Sequence, residues 1–217
     1  MKYDIVIFDM DGTLVDTDLM LVESMMALFR KYRPDYKISL STIIYFSGPP
    51  IEDTLAQYFP EVDHATIIQE FKDLSLQYYH LSAMLFPYTV EVLETLHRQG
   101  IKLGILTNKH HDRTIDTLKM LNIEHYFDYI VAYDDVEKPK PDPEGMFQII
   151  EHYNVSKDRL LFVGDTIYDY QVAVSSGVDC ALIGWSPRRF PAHVRPAHWL
   201  TDYRQLVEVV INGKTSV

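Results

Sequence analysis

Apolar positions along the chain follow two different rhythms. From Gly100 onward, apolar runs at Ile101–Leu106, Tyr129–Ala132, Leu160–Val163 and Ala181–Ile183 alternate with amphipathic stretches at about 112–122, 142–153 and 167–176. Runs without a polar face predict strands buried on both sides, and their alternation with helical stretches predicts a parallel sheet flanked by helices. Gly177 follows the third stretch as a candidate C-cap. The run Tyr3–Phe8 predicts a first strand of the same sheet, and a strand near His198–Leu200 with a helix from about Asp202 to Ile211 completes the layer.

The stretch from Asp16 to Met84 contains no clean strand. Its apolar residues recur at helical spacing, as in Leu21, Met25, Leu28 and Phe29, then Ile67, Ile68, Phe71, Leu74 and Tyr78. Asp16, Thr17 and Asp18 are N-cap candidates for the first helix, and Gly48-Pro49-Pro50 breaks the segment before a helix at Ile51–Tyr58. Thr89 is expected to cap a helix that returns to the sheet and runs to about Arg98. The predicted organisation is therefore residues 1–15 in the core, 16–84 as an inserted helical unit, and 85–217 as the rest of the core. The two crossings between the units, near 14–17 and 83–87, are expected to form a hinge.

Composition narrows the partners. The chain has 217 residues, 47% of them hydrophobic, and a net charge of −11. That length supports one large domain or a domain with an insert, and the acidic balance argues against nucleic acid as a partner. No run approaches the length of a membrane span, and no signal-peptide pattern opens the chain. The single cysteine, Cys180, lies in an apolar strand pattern and suits a reducing, cytoplasmic setting. Oligomeric state is not readable from the sequence.

Chemistry concentrates where the predicted strands end, which is where ligands gather in parallel sheets. Strand one delivers Asp9-Met10-Asp11-Gly12-Thr13. Asp9 and Asp11 are two apart and project to one side of an extended chain, so either a cation lies between them or one takes a proton. The next strand delivers Thr107-Asn108-Lys109, the third leads into Lys138-Pro139-Lys140-Pro141-Asp142, and the fourth ends in Gly164-Asp165-Thr166 with Asp169 a turn later. Taken singly, each segment reads as a cap, loop or turn; their arrival at one sheet edge points to a site. Oxygen ligands without His or Cys favour Mg²⁺ over Zn²⁺. His110 and His111 read as helix-start residues, and Trp185, Arg188 and Arg189 as either a pocket rim or a surface turn.

These segments, in this order, resemble the haloacid-dehalogenase-like hydrolase superfamily across essentially the whole chain. Asp9-Met10-Asp11-Gly12-Thr13 is similar to its first motif, Thr107 to its second, Lys138-Pro139 to its third, and Gly164-Asp165-Thr166 with Asp169 to its fourth. The stretch 136–144, together with Gly48-Pro49, is most similar to the phosphoglycolate-phosphatase-like branch and its pyrophosphatase relatives. The resemblance implies a Rossmann-like parallel sheet core with a helical cap, and a Mg²⁺-dependent phosphatase acting on a small phosphorylated metabolite through an aspartyl-phosphate. It implies Asp9 as nucleophile, Asp11 as general acid, Lys138 as the phosphate-facing amine, Thr107 and Asn108 as substrate-binding groups, and Asp9, Asp11 (through its carbonyl) and Asp165 at the metal. Asp169 is expected behind them, orienting Lys138 or the metal's surroundings. Lys140 is expected to be a solvated charge, and Gly48-Pro49-Pro50 with Glu52 to reach the leaving group. A sugar phosphomutase on the same fold and a non-catalytic binding protein with a relic site remain the alternatives.

Overall fold

The computed structural model describes residues 1–213, except for the side chains of His80 and Leu81. Positions 214–217 of the expected core segment lie outside the described residues. In chain order the elements are β1 (Ile5–Phe8), β2 (Val15–Asp16), α1 (Asp18–Tyr32), α2 (Leu40–Ile44), α3 (Ile51–Tyr58), α4 (His64–Ser82), β3 (Met84–Leu85), α5 (Thr89–Arg98), β4 (Lys102–Leu106), α6 (His111–Met120), β5 (Tyr129–Val131), α7 (Glu144–Tyr153), β6 (Leu160–Gly164), α8 (Ile167–Ser176), β7 (Asp179–Ile183), β8 (His198–Leu200) and α9 (Gln205–Asn212).

Six strands form one parallel sheet in the order β5-β4-β1-β6-β7-β8. The architecture is therefore the α/β, Rossmann-like layer that the apolar rhythm predicts. Successive side chains of a strand face opposite sides, so β1 feeds two cores. Val6 and Phe8 pack with Leu103, Ile105 and Val163 on one face, while Ile5 and Ile7 pack with Met146, Phe162 and Val172 on the other. All four residues of β1 are buried, which explains a run with no polar position.

Strand order places the site. From β1 the chain steps to β4 and β5 on one side, then returns to β6, β7 and β8 on the other. The reversal leaves a crevice beside the carboxyl end of β1, where open α/β sheets bind ligands. Register sharpens this: Phe8 pairs with Ile105 on one neighbour and Val163 on the other, so the residues following all three strands emerge at one level.

Residues 18–82 form α1 to α4 around a separate apolar cluster that includes Met25, Leu28, Ile43, Leu55 and Ile67. The chain leaves and re-enters through β2 and β3, which pair antiparallel, Val15 with Leu85, and Phe86 N–H donates to Leu14 O at 3.1 Å. These two-residue strands are too short to carry a period and went unpredicted, as did the five-residue α2, which Ser39 caps by accepting from Thr42 N–H. Thr89 does not cap α5. Tyr88 holds that position at φ 68°, and Thr89 is the first helical residue with its hydroxyl buried. Among the described residues, no helix is long and apolar enough to cross a membrane.

Candidate active site

The loop after β1 is wound tightly around one carbonyl. Met10 O accepts from Thr13, Leu14 and Val15 N–H at 3.2, 2.9 and 3.1 Å, while the Met10 side chain is fully buried. The two acids on either side of Met10 are thereby held at the crevice. Gly12 is required twice over. Its φ is +89°, and a Cβ there would lie 2.4 Å from Asp165 Oδ2. The loop after β1 and the end of β6 consequently meet without a side chain between them.

Asp9 is 5% exposed and lies against a buried amine, but that amine is Lys140, not Lys138. Lys140 Nζ donates to Asp9 Oδ1 at 2.7 Å and to Asp169 Oδ1 at 2.6 Å. Lys138 is exposed, and its backbone N–H donates to Glu144 Oε2 at 3.0 Å. The expected register is thus corrected by two residues, and the cause lies in the anchors. Glu144, in the first turn of α7, takes the N–H groups of Glu137 and Lys138. Asn108 holds the Lys140 backbone at both ends, accepting from its N–H at 2.9 Å and donating to its carbonyl at 2.9 Å. The loop bends between these clamps, burying Lys140 and leaving Lys138 exposed.

Asp169 is buried at the start of α8 and fully engaged. Its Oδ2 accepts from the N–H groups of Asp165 and Thr166 at 3.2 and 2.9 Å and from the Thr166 hydroxyl at 2.6 Å, leaving Oδ1 for Lys140. It therefore orients Lys140, the role expected of it toward Lys138. Thr107 is buried at the end of β4 and accepts from Lys109 N–H at 3.2 Å. Asn108 reaches across to the helical segment as well, donating to Gly48 O at 2.8 Å. Gly48 itself has φ +121°, and a Cβ there would lie 3.1 Å from the Thr166 side chain.

Asp9, Asp165 and Asp169 bring ligand oxygens within 4.8 Å of one another, all three buried. Facing them are Lys140 and Arg188, whose Nη1 donates to Asp165 Oδ2 at 2.9 Å. Three buried carboxylates against two cations leave the cluster short of positive charge. The strain shows in protonation: burial pushes Asp9 up to about 7 despite Lys140, and burial drives Asp165 well above the usual carboxylate range despite Arg188. Burial would depress Lys140, but Asp169 and Asp9 more than reverse this and hold it charged. A divalent cation fits such an all-oxygen, charge-deficient donor set. The Asp11 carboxylate stands apart from the cluster, accepting from Lys109 Nζ at 3.1 Å through both oxygens.

Sequence reasoning gave Lys109 no role of its own and left Arg188 between a pocket rim and a surface turn. Lys109 directly follows the Thr-Asn pair, so its signal was position after β4; its amine also lies 4.7 Å from the Tyr79 ring centroid on α4. Arg188 had no signal beyond an ambiguous Pro-Arg-Arg. It is 7% exposed and joins Asp165 to the helical segment, its Nη2 donating to Asp18 Oδ1 at 2.5 Å and Ile44 O at 3.0 Å. Glu52 is turned to the core, accepting a hydrogen bond from His110 Nε2 at 2.8 Å.

The family model described as haloacid dehalogenase-like hydrolase matches residues 6–183, the span from β1 to the end of β7. The chain belongs to this family. Within it, the pyrophosphatase PpaX of Halalkalibacterium halodurans is 32% identical over 97% of this chain and 98% of its own. A haloacid dehalogenase-like family hydrolase of Streptococcus pneumoniae shares the fold at a TM-score of 0.83 and 22% identity, over 95% of this chain and 98% of its own. A predicted phosphoglycolate phosphatase of Haemophilus somnus does so at 0.81 and 21%, over 96% and 98%.

Proposed function

We propose that this hydrolase is a Mg²⁺-dependent phosphatase that cleaves a small phosphorylated molecule through an aspartyl-phosphate on Asp9. The observation that carries the reading is the buried Asp9–Lys140–Asp169 chain beside Asp165, short of positive charge at a sheet switch point. In this scheme the Asp9 carboxylate attacks phosphorus, and the bond to the leaving oxygen breaks as Asp11 gives that oxygen a proton. Asp11 then takes a proton from the water that hydrolyses the acyl phosphate. Lys140, the Thr107 hydroxyl and the Asn108 backbone N–H would stabilise charge on the transferring oxygens. Asp9, Asp165 and the Asp11 carbonyl would hold Mg²⁺, which supplies the missing positive charge.

Residues 16–84 act in this proposal as a cap hinged at Val15 and Leu85, excluding water while the ester is bound. The relatives' names supply pyrophosphate and phosphoglycolate as candidate substrates. The cytoplasm is the proposed setting, in keeping with a lone, buried, unpaired Cys180.

The test is phosphate release from a panel of phosphorylated metabolites and p-nitrophenyl phosphate, with and without Mg²⁺, alongside mass analysis of acid-quenched enzyme for phosphorylated Asp9. Release that requires the metal, with the phosphoryl group on Asp9, is the expected result. Equal rates in chelator would overturn metal dependence, and transfer to a sugar phosphate in place of water would redirect the reading to a mutase.

A further inference from the structure

A cavity of about 510 Å³ opens above the carboxylates, between the sheet edge and the helical segment. Its floor is Asp9, Asp11, Thr107 and Lys140. Its walls are of another character: Leu21 on α1, Phe46 after α2, Phe71, Leu76 and Tyr79 on α4, and Met120 at the end of α6. A phosphoryl group seated on the floor fills only a small part of such a volume, which lies in the range of about 300–1,000 Å³ typical of sites enclosing much larger ligands.

The charges do not suit a second phosphate. Lys140 is engaged by Asp9 and Asp169, and Lys109 by Asp11. The wall's other cations, Lys72 and Arg113, are accompanied by Asp116, leaving a single net positive charge above the floor. Pyrophosphate carries several negative charges, and desolvating them against Leu, Phe and Met is unfavourable without partners. An apolar body gains from the same walls. Leu76 and Met120 are 44% and 40% exposed, large apolar side chains left uncovered where a bound molecule would cover them.

Resting on the phosphatase reading above, we propose that the preferred substrate is an organic phosphate monoester whose leaving alcohol carries an apolar body, seated between α4 and α6. Pyrophosphate and phosphoglycolate are then poor substrates of this chain. A homologous series of n-alkyl phosphates, from ethyl to hexyl, tests this, because leaving-group basicity barely changes along it while the buried apolar length does. With the metal-loaded enzyme, kcat/KM should climb by about two- to fourfold per methylene until the cavity is filled. Hexyl phosphate should exceed both pyrophosphate and phosphoglycolate by at least about tenfold.

Leu76→Ser and Met120→Ser, at exposed positions where folding is not at stake, should each flatten the series by weakening hexyl more than ethyl phosphate. A flat series in the unsubstituted enzyme, a preference for pyrophosphate, or slopes unmoved by both substitutions would overturn the proposal while leaving a phosphatase. Phosphate release from no compound, p-nitrophenyl phosphate included, would instead remove the phosphatase reading and this inference with it.

Discussion

The floor and the roof of the cavity are built on opposite principles. The floor is ionic: Asp9, Lys140, Asp169, Asp165 and Arg188 are buried and bonded in a continuous chain, each carboxylate anchored by backbone or a cation. The roof is apolar, and its helices are held by an oily cluster of their own. Between them run a few polar ties, Asn108 to Gly48, His110 to Glu52 and Arg188 to Asp18. An ionic floor demands fixed residue types at fixed places, since one lost partner leaves an uncompensated charge. An apolar roof tolerates exchange of similar volumes. The contrast teaches that chemistry should respond to floor substitutions steeply, and selectivity to roof substitutions gradually.

The steepest response is expected at Asp9. Asp9→Asn keeps the shape but removes the proposed nucleophile, and turnover should fall by at least about a thousandfold, as for other covalent nucleophiles. Steady-state phosphate release beside a circular-dichroism check of folding measures it, and near-normal turnover in a folded variant ends the covalent scheme. Asp11→Asn should cost about 10²–10⁴-fold on alkyl phosphates. The loss in kcat/KM, which reports phosphorylation of Asp9 and not the later hydrolysis, should shrink on p-nitrophenyl phosphate, whose leaving group needs no proton; equal losses in kcat/KM on both would remove Asp11 as the acid.

The two lysines of the third segment make a comparison inside one loop. Lys140→Ala leaves Asp9 and Asp169 facing each other in the interior, and should lower kcat by about 10²–10³-fold. It should also destabilise the protein by about 3–5 kcal/mol. Lys138→Ala removes an exposed side chain and should change stability by no more than about 0.5 kcal/mol. Denaturant melts and kcat for both variants decide the matter, and a larger loss at Lys138 would contradict the geometry.

That pair also marks how far the sequence could be read. The sheet was legible because strands buried on both faces show unbroken apolar runs, and helices between them show their own period. Asp9, Asp165 and Asp169 were legible because buried acids at strand ends are costly without a purpose. Lys140 was not, since its direction is set by Glu144 and Asn108, residues four and thirty-two positions away. Arg188 was readable only as a pocket rim or a surface turn for the same reason, its partners being Asp165, Asp18 and Ile44. The roof was legible only as helices. A leucine at helical spacing reads alike whether it faces its own core, as Leu55 does, or a cavity, as Leu76 does.

The smallest expected effect concerns pH and separates the floor's charge deficit from its packing. Asp9 is pushed up to about 7, chiefly by burial, while an unfolded aspartate titrates near 3.9. A carboxyl raised in the folded state contributes stability that is whole below the unfolded value and is lost as pH rises through about 7. The metal-free protein should therefore melt at progressively lower temperature from pH 5.5 to pH 8. A divalent cation favours the ionised carboxylate and competes with its proton, so added Mg²⁺ should raise Tm more at pH 8 than at pH 5.5. For a chain of this length the difference should be a few degrees, at about 2–4 °C per kcal/mol. In Asp9→Asn, which has no proton to lose there, the pH-dependence of the metal-free Tm should be shallower. Scanning calorimetry of both proteins at the two pH values, with and without Mg²⁺, makes the measurement. An equal metal-induced shift at both pH values in the unsubstituted protein would mean that the cluster carries no charge deficit at Asp9 for the cation to fill.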